Sequence, residues 1–360
     1  MAHKKMLLMK GNEALAEAAI QAGCRFYAGY PITPQNEIPE YLSRRMPEVN
    51  GVFIQAESEI ASINMVYGAS AAGVRAMTSS SGPGISLKQE AMSFLAAAEL
   101  PAVIVNIQRG GPGLGNIAAS QADYFQAVKG GGHGDYKCIV FSPFNVQEMW
   151  DLTMRAFDTA DKYRMPVIVL GDGVVGQMME PFHPTKYVRP RLPEKDWILN
   201  GCKGRQPRVI RTLFMDPGEL EKRNLILLKK KALIRKKEVM FAAYDTEDAE
   251  LVVVAFGIAA RIALSAVKEL RREGRKVGLF RPVTLFPFPE KQLEGIAGGK
   301  RRFLVLEMNA GQMVEDVRLA VNGKSDVLFY GRPGGAVFNP EELYRKIKAA
   351  YPRTARTNKR

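Results

Sequence analysis

A stiff, proline-rich arch is the first segment of this sequence whose residue types could do chemistry. It reads Tyr30-Pro31-Ile32-Thr33-Pro34. Its two prolines fix φ and push the residues before them towards extended geometry, so the Thr33 hydroxyl is held in one direction. Because an apolar run precedes the arch at residues 24–28, we expect the arch at the carboxyl end of a strand, where open α/β sheets bind ligands. A rigid strand-to-helix turn without a ligand explains these five residues equally well.

Two carboxylates, Glu57 and Glu59, follow the next apolar run, at residues 52–56. If strand geometry continues through them, both side chains point the same way; if a helix begins at Ser58, they diverge. Glu59 opens a helical pattern that is largely apolar, at residues 59–72. A carboxylate in the first turn of a helix is, however, often only a favourable placement in the field of the helix dipole.

A glycine-rich loop with an arginine follows the apolar run at residues 101–107. It begins at Arg109 and reads Arg-Gly-Gly-Pro-Gly-Leu-Gly over residues 109–115. Gly110 and Gly111 would let the backbone approach a ligand closely, and a guanidinium fixed at the end of a strand suits bidentate capture of a carboxylate. The alternative is an ordinary glycine loop with a surface arginine. No Lys-Ser or Lys-Thr pair follows, so the loop is not a P-loop.

A fourth segment, Ser81-Gly82-Pro83-Gly84, also lies between a strand pattern and a helix pattern. It resembles an anion-binding turn before a helix. Its composition fits a tight turn between packed elements just as well.

Alternating strand and helix patterns position these segments and predict a doubly wound parallel sheet with helices on both faces. The predicted strands include residues 75–80, 138–141 and 166–170, and a long helix is predicted at residues 145–163. We predict one α/β domain over residues 1–180, a proline-rich linker with a basic helical segment over 181–244, a second α/β domain over 245–350, and a basic, frayed tail over 351–360.

Composition excludes several kinds of site. The three cysteines lie far apart and only three histidines occur, so the chain cannot supply a four-ligand zinc or iron–sulfur site by itself. The net charge of +14 is concentrated in the second half, and residues 181–240 carry 16 basic and 6 acidic residues. A solvated helix face or docking of an acidic partner explains this better than nucleic acid, because few aromatics accompany the basic residues.

The apolar runs are too short to span a bilayer, and the run at residues 6–9 is too short for a secretory signal. We therefore expect a cytoplasmic protein without membrane attachment.

Taken together, the motifs resemble the alpha subunit of the 2-oxoacid:ferredoxin oxidoreductases. The resemblance covers residues 8–345 in the right order and spacing, and it is strongest to the type that acts on branched-chain 2-oxo acids such as 2-oxoisovalerate (3-methyl-2-oxobutanoate), with the 2-oxoglutarate type close behind. The matching motifs are Tyr-Pro-Ile-Thr-Pro at 30–34, Glu-Ser-Glu-Ile-Ala-Ser at 57–62, Gly-Ala-Ser-Ala-Ala-Gly at 68–73, Thr-Ser-Ser-Ser-Gly-Pro-Gly at 78–84, Arg-Gly-Gly-Pro-Gly at 109–113 with Gln121 and Asp123, Phe-Pro-Phe-Pro at 286–289, and Glu-Met-Asn-Ala-Gly-Gln at 307–312.

The resemblance implies a pyrimidine-type thiamine diphosphate domain followed by a transketolase C-terminal-like α/β domain. Glu59 would hydrogen-bond the aminopyrimidine ring nitrogen of the cofactor, a role that needs a carboxyl held away from water. Thr33 and Arg109, with Tyr30 and Pro31, would bind the oxo and carboxylate groups of the substrate. The glycine segments would line the cofactor site: Gly82, Pro83, Gly84, Gly110 and Gly111. Glu57 receives no role.

The resemblance also implies partners. A beta subunit would bind the diphosphate and Mg²⁺, while iron–sulfur clusters would lie on partner subunits, including gamma and ferredoxin-like delta subunits. The reaction would be oxidative decarboxylation of a 2-oxo acid, with coenzyme A as co-substrate and electrons passing to ferredoxin. One departure concerns the loop at residues 113–118, which reads Gly-Leu-Gly-Asn-Ile-Ala where many relatives carry Ser-Thr-Gly-Leu-Pro-Thr. It bears on the choice of substrate side chain more than on the reaction.

Gly171-Asp172-Gly173, with Asn200 some way downstream, looks like the magnesium motif of thiamine diphosphate enzymes. The intervening stretch is rich in proline and basic residues and lacks the expected helix and strand, and Mg²⁺ needs several oxygen ligands in near-octahedral geometry. We interpret the motif as a strand end with a turn. If it did bind Mg²⁺, the chain would be a self-sufficient thiamine enzyme such as a transketolase or decarboxylase. A further alternative, from another class, is a non-catalytic scaffold subunit that docks partners through its basic half.

Overall fold

The computed structural model describes residues 6–352 of the chain; most of the predicted tail lies outside them. Up to residue 182 the elements are β1 (Leu7–Lys10), α1 (Gly11–Gln21), β2 (Phe26–Gly29), α2 (Glu37–Glu48), β3 (Val52–Gln55), α3 (Glu59–Ala71), β4 (Ala76–Ser80), α4 (Pro83–Ala97), β5 (Ala102–Gln108), α5 (Tyr124–Lys129), β6 (Ile139–Phe141), α6 (Val146–Tyr163), β7 (Pro166–Asp172), α7 (Gly173–Gln177) and β8 (Met179–Phe182). The remaining elements are α8 (Glu219–Lys237), β9 (Phe241–Tyr244), β10 (Leu251–Val254), α9 (Gly257–Arg272), β11 (Val277–Pro282), β12 (Thr284–Phe286), α10 (Glu290–Ile296), β13 (Arg302–Glu307), α11 (Met313–Val321), β14 (Asp326–Gly331) and α12 (Pro340–Ala350).

The larger sheet has seven strands in the order β12-β6-β7-β5-β4-β2-β3. Its pairings are parallel except for the edge strand β12, which runs antiparallel to β6. Near its middle, β5 is buried along its whole length. A strand covered on both faces by helices reads as a continuous apolar run, and this explains why residues 101–107 predicted a buried strand.

The carboxyl ends of β5, β4, β2 and β3 meet at one edge of this sheet, because these four strands are parallel neighbours. Each of the four segments singled out in the sequence follows one of these strands. The arch follows β2, Glu59 follows β3, Ser81–Gly84 follows β4 and Arg109 follows β5. The fold therefore brings together segments that lie up to 80 residues apart in the chain.

The smaller sheet has five strands in the order β14-β13-β10-β11-β9, with β9 antiparallel to β11. Buried polar contacts hold it against the first unit. The Gln121 side chain donates to the Phe256 carbonyl and accepts from the Met308 amide, and Asn309 donates to the Gln121 carbonyl. Met308 and Asn309 of the Glu-Met-Asn-Ala-Gly-Gln motif thus help to hold the two sheets' units together.

Residues 183–218 contain turns but no helix or strand, as the prolines predict. This linker returns to the first unit, where the Leu199 amide donates to the Ala71 carbonyl and Lys195 donates to the Gly73 carbonyl. The basic helix α8 follows. It is anchored by the pairs that Arg223 and Lys230 form with Glu99, whereas most of its other side chains are exposed.

Three features escaped the sequence analysis. The helix α2 was not predicted, β1 pairs with β8 in a separate antiparallel ribbon, and β12 extends the sheet of the first unit although it lies within the predicted second domain. The predicted domain boundaries stay a prediction. Within residues 6–352, no helix is both long and apolar enough to cross a membrane.

Candidate functional site

Glu59 is the first residue of α3, and its neighbour Ser58 caps the helix. The Ser58 side chain accepts a hydrogen bond from the Ala61 amide at 3.1 Å. Because the helix begins here, the two carboxylates diverge: Glu57 is exposed, whereas Glu59 is only 6 % exposed. A serine cap of this kind satisfies one of the free amides at the helix start, so the position of Glu59 follows from its local sequence.

The Glu59 carboxylate lies against the first turn of α4. A Cβ atom placed on Gly84 would lie 2.4 Å from Glu59 Oε1 and 2.2 Å from Ser80 Oγ, so any larger residue at this position would displace these side chains. The hydroxyls of Ser80 and Ser81 are buried and have no hydrogen-bond partner among the described residues. A carboxylate and two unsatisfied hydroxyls thus share one small region at the end of β4.

Lys88 lies directly behind this region and was not singled out in the sequence. It is fully buried, and its Nζ donates to the Glu59 backbone carbonyl at 3.3 Å, to Thr78 Oγ1 at 3.0 Å and to Ser62 Oγ. Burial lowers the pKa of Lys88 to about 7, although the charge of Glu59 acts in the opposite direction. The sequence feature that could have revealed Lys88 is its spacing of about one helical turn from Ile85 and Met92, which puts it on the buried face of α4.

Arg109 joins the glycine loop to the arch. It is buried, and its guanidinium donates from Nη1 to the Thr33 carbonyl at 2.9 Å and from Nη2 to the Leu114 carbonyl at 3.0 Å. Its Nε is buried without a partner among the described residues and lies beside Gly82, where a Cβ would come within 3.1 Å. Among the residues that the structure describes, two of the five guanidinium N–H groups have acceptors, so three could bind a ligand.

The glycine loop is closed on itself and tied to the second unit. The Gly110 amide donates to the Ala118 carbonyl, and the Asn116 amide donates back to the Gly110 carbonyl. The Asn116 side chain reaches the Gly334 carbonyl at 2.9 Å. A Cβ on Gly111 would meet no atom within 4 Å, so the face of the loop at this residue is open.

The arch is held mainly through its backbone. Asn12 donates to the Pro34 carbonyl at 2.9 Å, and Arg109 holds the Thr33 carbonyl. Within residues 6–352 the Thr33 hydroxyl forms one hydrogen bond, a long one of 3.4 Å that it accepts from Asn36, so its own hydrogen has no acceptor there. Tyr30 and Pro31 are exposed and form part of the rim.

Sequence-predicted site residues are thus brought together in two contacting groups. Arg109 links the arch to the glycine loop and touches Gly82, while Gly84 touches Glu59. Gly82 and Gly84 belong to the same turn, so the groups are continuous. The arrangement places a buried carboxylate and a buried guanidinium against two glycines of the same turn.

Asp172 does not form a comparable site. Its side chain caps α7 by accepting from the Val174 and Val175 amides, and it also accepts from the Ile258 amide of the second unit. Burial raises the pKa of this carboxyl to about 6. Asn200 is exposed and accepts from Arg205. These contacts agree with the interpretation of the motif as a strand end and turn, and they do not fit a magnesium site.

Comparison with protein-family models finds two matches. Residues 17–212 match "Pyruvate flavodoxin/ferredoxin oxidoreductase, thiamine diP-bdg", and residues 249–343 match "Pyruvate:ferredoxin oxidoreductase core domain II". The first match contains the arch, Glu59, the Gly82–Gly84 turn, Lys88 and Arg109.

Curated relatives match over nearly the whole chain. The ketoisovalerate oxidoreductase subunit VorB of Methanothermobacter marburgensis is 52 % identical, covering 95 % of this chain and 97 % of its own length. The 2-oxoglutarate synthase subunit KorA of Methanocaldococcus jannaschii is 38 % identical, covering 95 % and 99 %.

Among solved structures, 2-oxoglutarate:ferredoxin oxidoreductase from Magnetococcus marinus, with 2-oxoglutarate, coenzyme A and succinyl-CoA bound, superposes with a TM-score of 0.85 at 27 % identity. The match covers 97 % of this chain and 66 % of the longer Magnetococcus chain. A split-gene transketolase, at 14 % identity and a TM-score of 0.59, shares the fold. On this evidence the chain belongs to the 2-oxoacid:ferredoxin oxidoreductases, oxidoreductases that act on 2-oxo acids.

Proposed function

We propose that this chain is the alpha subunit of a branched-chain 2-oxoacid:ferredoxin oxidoreductase and supplies the pyrimidine side of a thiamine diphosphate site. The observation that carries the proposal is the buried Glu59 carboxylate at the start of α3, packed against Gly84. The reaction would convert 2-oxoisovalerate to its acyl-coenzyme A and CO₂, with electrons passing to ferredoxin.

The residues around Glu59 fit the aminopyrimidine half of the cofactor. Ser80 and Ser81 are buried with unsatisfied hydroxyls, and Gly82 and Gly84 leave room where a side chain would intrude. A flat ring with nitrogen donors and acceptors can satisfy such groups, whereas leaving them unpaired costs free energy.

Thiamine diphosphate, when bound, supplies a carbanion that adds to 2-oxo acids. Glu59 would exchange a proton with the pyrimidine ring nitrogen from its dry position beside Gly84. General acid–base catalysis of this kind contributes about 10²–10⁴-fold to a rate. The Ser58 cap fixes the backbone of the helix start from which the Glu59 side chain extends.

Arg109 and Thr33 would hold the 2-oxo acid. Within the described part of the chain, three guanidinium N–H groups have no acceptor after the Thr33 and Leu114 carbonyls are bound. Three are enough for a bidentate bond to a carboxylate. The Thr33 hydroxyl would donate to the oxo group. Tyr30 and Pro31 would close the rim, and Gly110 and Gly111 would allow close approach of the loop.

The exposed residues around the site support a cofactor site that lies between two subunits. Ile60 and Leu87 flank Glu59 and Lys88 in sequence, yet both are about half exposed. Exposed apolar groups beside a buried carboxylate suit an interface. A beta subunit would cover them and supply the diphosphate and Mg²⁺ site, and gamma and ferredoxin-like delta subunits would carry iron–sulfur clusters. Coenzyme A would enter as the acyl acceptor.

Two observations favour a branched-chain substrate over 2-oxoglutarate. The loop held by Arg109 exposes two aliphatic side chains, Leu114 and Ile117, which are 79 % and 65 % exposed. An aliphatic substrate chain can pack on such groups, whereas a second carboxylate beside them would lose hydration without gaining a partner. Identity is also higher to VorB, at 52 %, than to KorA, at 38 %.

Turnover of the assembled complex on a panel of 2-oxo acids tests this choice. We expect kcat/KM for 2-oxoisovalerate to exceed that for 2-oxoglutarate by about 100-fold, with coenzyme A and ferredoxin present in each assay. Pyruvate is the control, because it lacks the branched chain but carries no second charge. A preference for 2-oxoglutarate would overturn the substrate assignment and leave the reaction class intact.

A further inference from the structure

Lys88 is a buried amine surrounded by neutral partners. Its Nζ donates to two hydroxyls and one backbone carbonyl, belonging to Thr78, Ser62 and Glu59, and the side chain is fully buried. An ammonium group has three N–H donors, so the three acceptors satisfy it completely. No carboxylate oxygen of the described residues lies within ion-pair distance of it.

The three acceptors lie on the elements that shape the candidate site. Glu59 and Ser62 form the first turn of α3, Thr78 lies in β4, and Lys88 itself belongs to α4. One turn earlier, Gly84 packs against the Glu59 carboxylate. The same helix therefore contacts Glu59 twice: its carboxylate through Gly84, and its backbone carbonyl through Lys88.

The charge of Lys88 changes near neutral pH. Taking an ammonium out of water disfavours its charged form, and burial accordingly lowers the pKa of Lys88 to about 7. Glu59 is the charged group that opposes this effect. Opposite charges at close range attract each other, so the positive charge of protonated Lys88 interacts favourably with the Glu59 carboxylate.

We propose that Lys88 is a positioning residue that acts through Glu59, holding the first turn of α3 in place and, when it carries its proton, attracting negative charge on the Glu59 side chain. This inference rests on the proposed function. With thiamine diphosphate bound, Glu59 would pass its proton to the pyrimidine nitrogen, and the Lys88 ammonium would attract the negative charge left on the Glu59 carboxylate. Lys88 keeps its own proton throughout. Neutral Lys88 still holds the first turn of α3 in place through its side chain, but it provides no positive charge beside Glu59.

The test compares wild type with Lys88→Met in the assembled complex loaded with thiamine diphosphate and Mg²⁺, without substrate. The measured quantity is the rate of deuterium exchange at the reactive thiazolium carbon. We expect wild type to exceed the variant by roughly tenfold at pH 6, the size of effect that one nearby charge has on an ionisable group. The ratio should be smaller at pH 8.5, where neutral Lys88 still holds the first turn of α3 but no longer supplies the positive charge. A ratio that is the same at every pH indicates a merely structural role and overturns the proposal.

A second readout needs no cofactor. In the unfolded chain Lys88 has an ordinary pKa near 10.4, so between about pH 7 and 10 the unfolded state binds more protons than the folded state at this residue. Stability contributed by this residue therefore rises with pH in that window. The thermal midpoint of the cofactor-free wild-type complex should rise relative to that of Lys88→Met between pH 7 and 10. A constant difference between the two midpoints contradicts the proposal.

Further variants keep the proposal falsifiable if Lys88→Met does not assemble. Thr78→Val and Ser62→Ala each remove a hydrogen-bond acceptor of the Lys88 ammonium. Each should move the midpoint of the pH profile of the exchange rate to lower pH, and an unmoved midpoint contradicts the proposal. Lys230→Met is the matched control, since Lys230 is also largely buried but pairs with Glu99, and it should leave the pH dependence unchanged. If wild type binds no thiamine diphosphate, the proposed function itself fails, an outcome distinct from those above.

Discussion

Glu59→Gln in the assembled complex is expected to lower kcat by about 10²–10⁴-fold, the usual contribution of a general acid–base group. Glutamine preserves the shape of the side chain, but it cannot release or hold the proton that the pyrimidine nitrogen must exchange. The substitution leaves unchanged the Ser58 cap of the helix and the hydrogen bond from Lys88 to the backbone carbonyl of residue 59. The complex should therefore still assemble. Steady-state turnover, together with the size of the complex in solution, measures both effects.

Glu57→Gln is the matched control for this variant. Glu57 lies two residues earlier, is exposed and belongs to the turn rather than the helix, so turnover should change less than twofold. A scaffold subunit that only docks partners through its basic half would keep full activity in both variants. Equal activity of Glu59→Gln and Glu57→Gln would therefore support the scaffold and contradict the catalytic assignment.

Arg109→Lys is expected to raise KM for the 2-oxo acid by roughly 10–100-fold, because each hydrogen bond to a charged group contributes about 1.5–3 kcal/mol. Lysine keeps the charge but loses the planar fork. It cannot hold the Thr33 and Leu114 carbonyls together while also binding a carboxylate in a bidentate manner. Substrate saturation curves of the variant complex provide the measurement.

Arg25→Lys controls for the general effect of losing a guanidinium. Arg25 also donates to two backbone carbonyls, those of Ile20 and Cys24, but it precedes β2 and so lies at the opposite end of that strand from the arch. The KM of the Arg25→Lys variant for the 2-oxo acid should stay within about twofold of the wild-type value. A similar rise in KM for both variants would mean that Arg109 acts only by stabilising the fold.

Several strands of the larger sheet could be predicted because they are short apolar runs. The run at residues 101–107 predicted β5, and the runs before the arch and before Glu57 predicted β2 and β3. Edge pairings were not predictable in the same way. β12 reaches β6 from more than 140 residues away, and β1 pairs with β8, because such pairing depends on the tertiary fold and not on local pattern.

It could also be predicted that the four candidate segments lie close together, because the carboxyl ends of neighbouring parallel strands meet at one edge of the sheet. The burial of Glu59 was suggested by the apolar helix that follows it. The contacts of Arg109 with Thr33 and Leu114 could not be foreseen, because they depend on how the loop closes. Lys88 was missed because a lysine is normally expected to be solvated, even where helical periodicity puts it on the buried face.

The charge of the basic region was interpreted either as a solvated helix face or as a docking surface. Part of it is neutralised within the chain, where Arg223 and Lys230 pair with Glu99 and Arg235 pairs with Glu290. The outer face of α8 combines exposed leucines, among them Leu225 and Leu228, with further lysines. Both interpretations stay open.

The most direct measurement is the structure of the assembled enzyme with thiamine diphosphate bound, at a resolution that shows side chains. The account predicts that a carboxylate oxygen of Glu59 lies about 3 Å from the pyrimidine ring nitrogen, an ordinary hydrogen-bond distance, with Gly84 packed behind it. A cofactor bound elsewhere, with Glu59 facing solvent, would contradict the account.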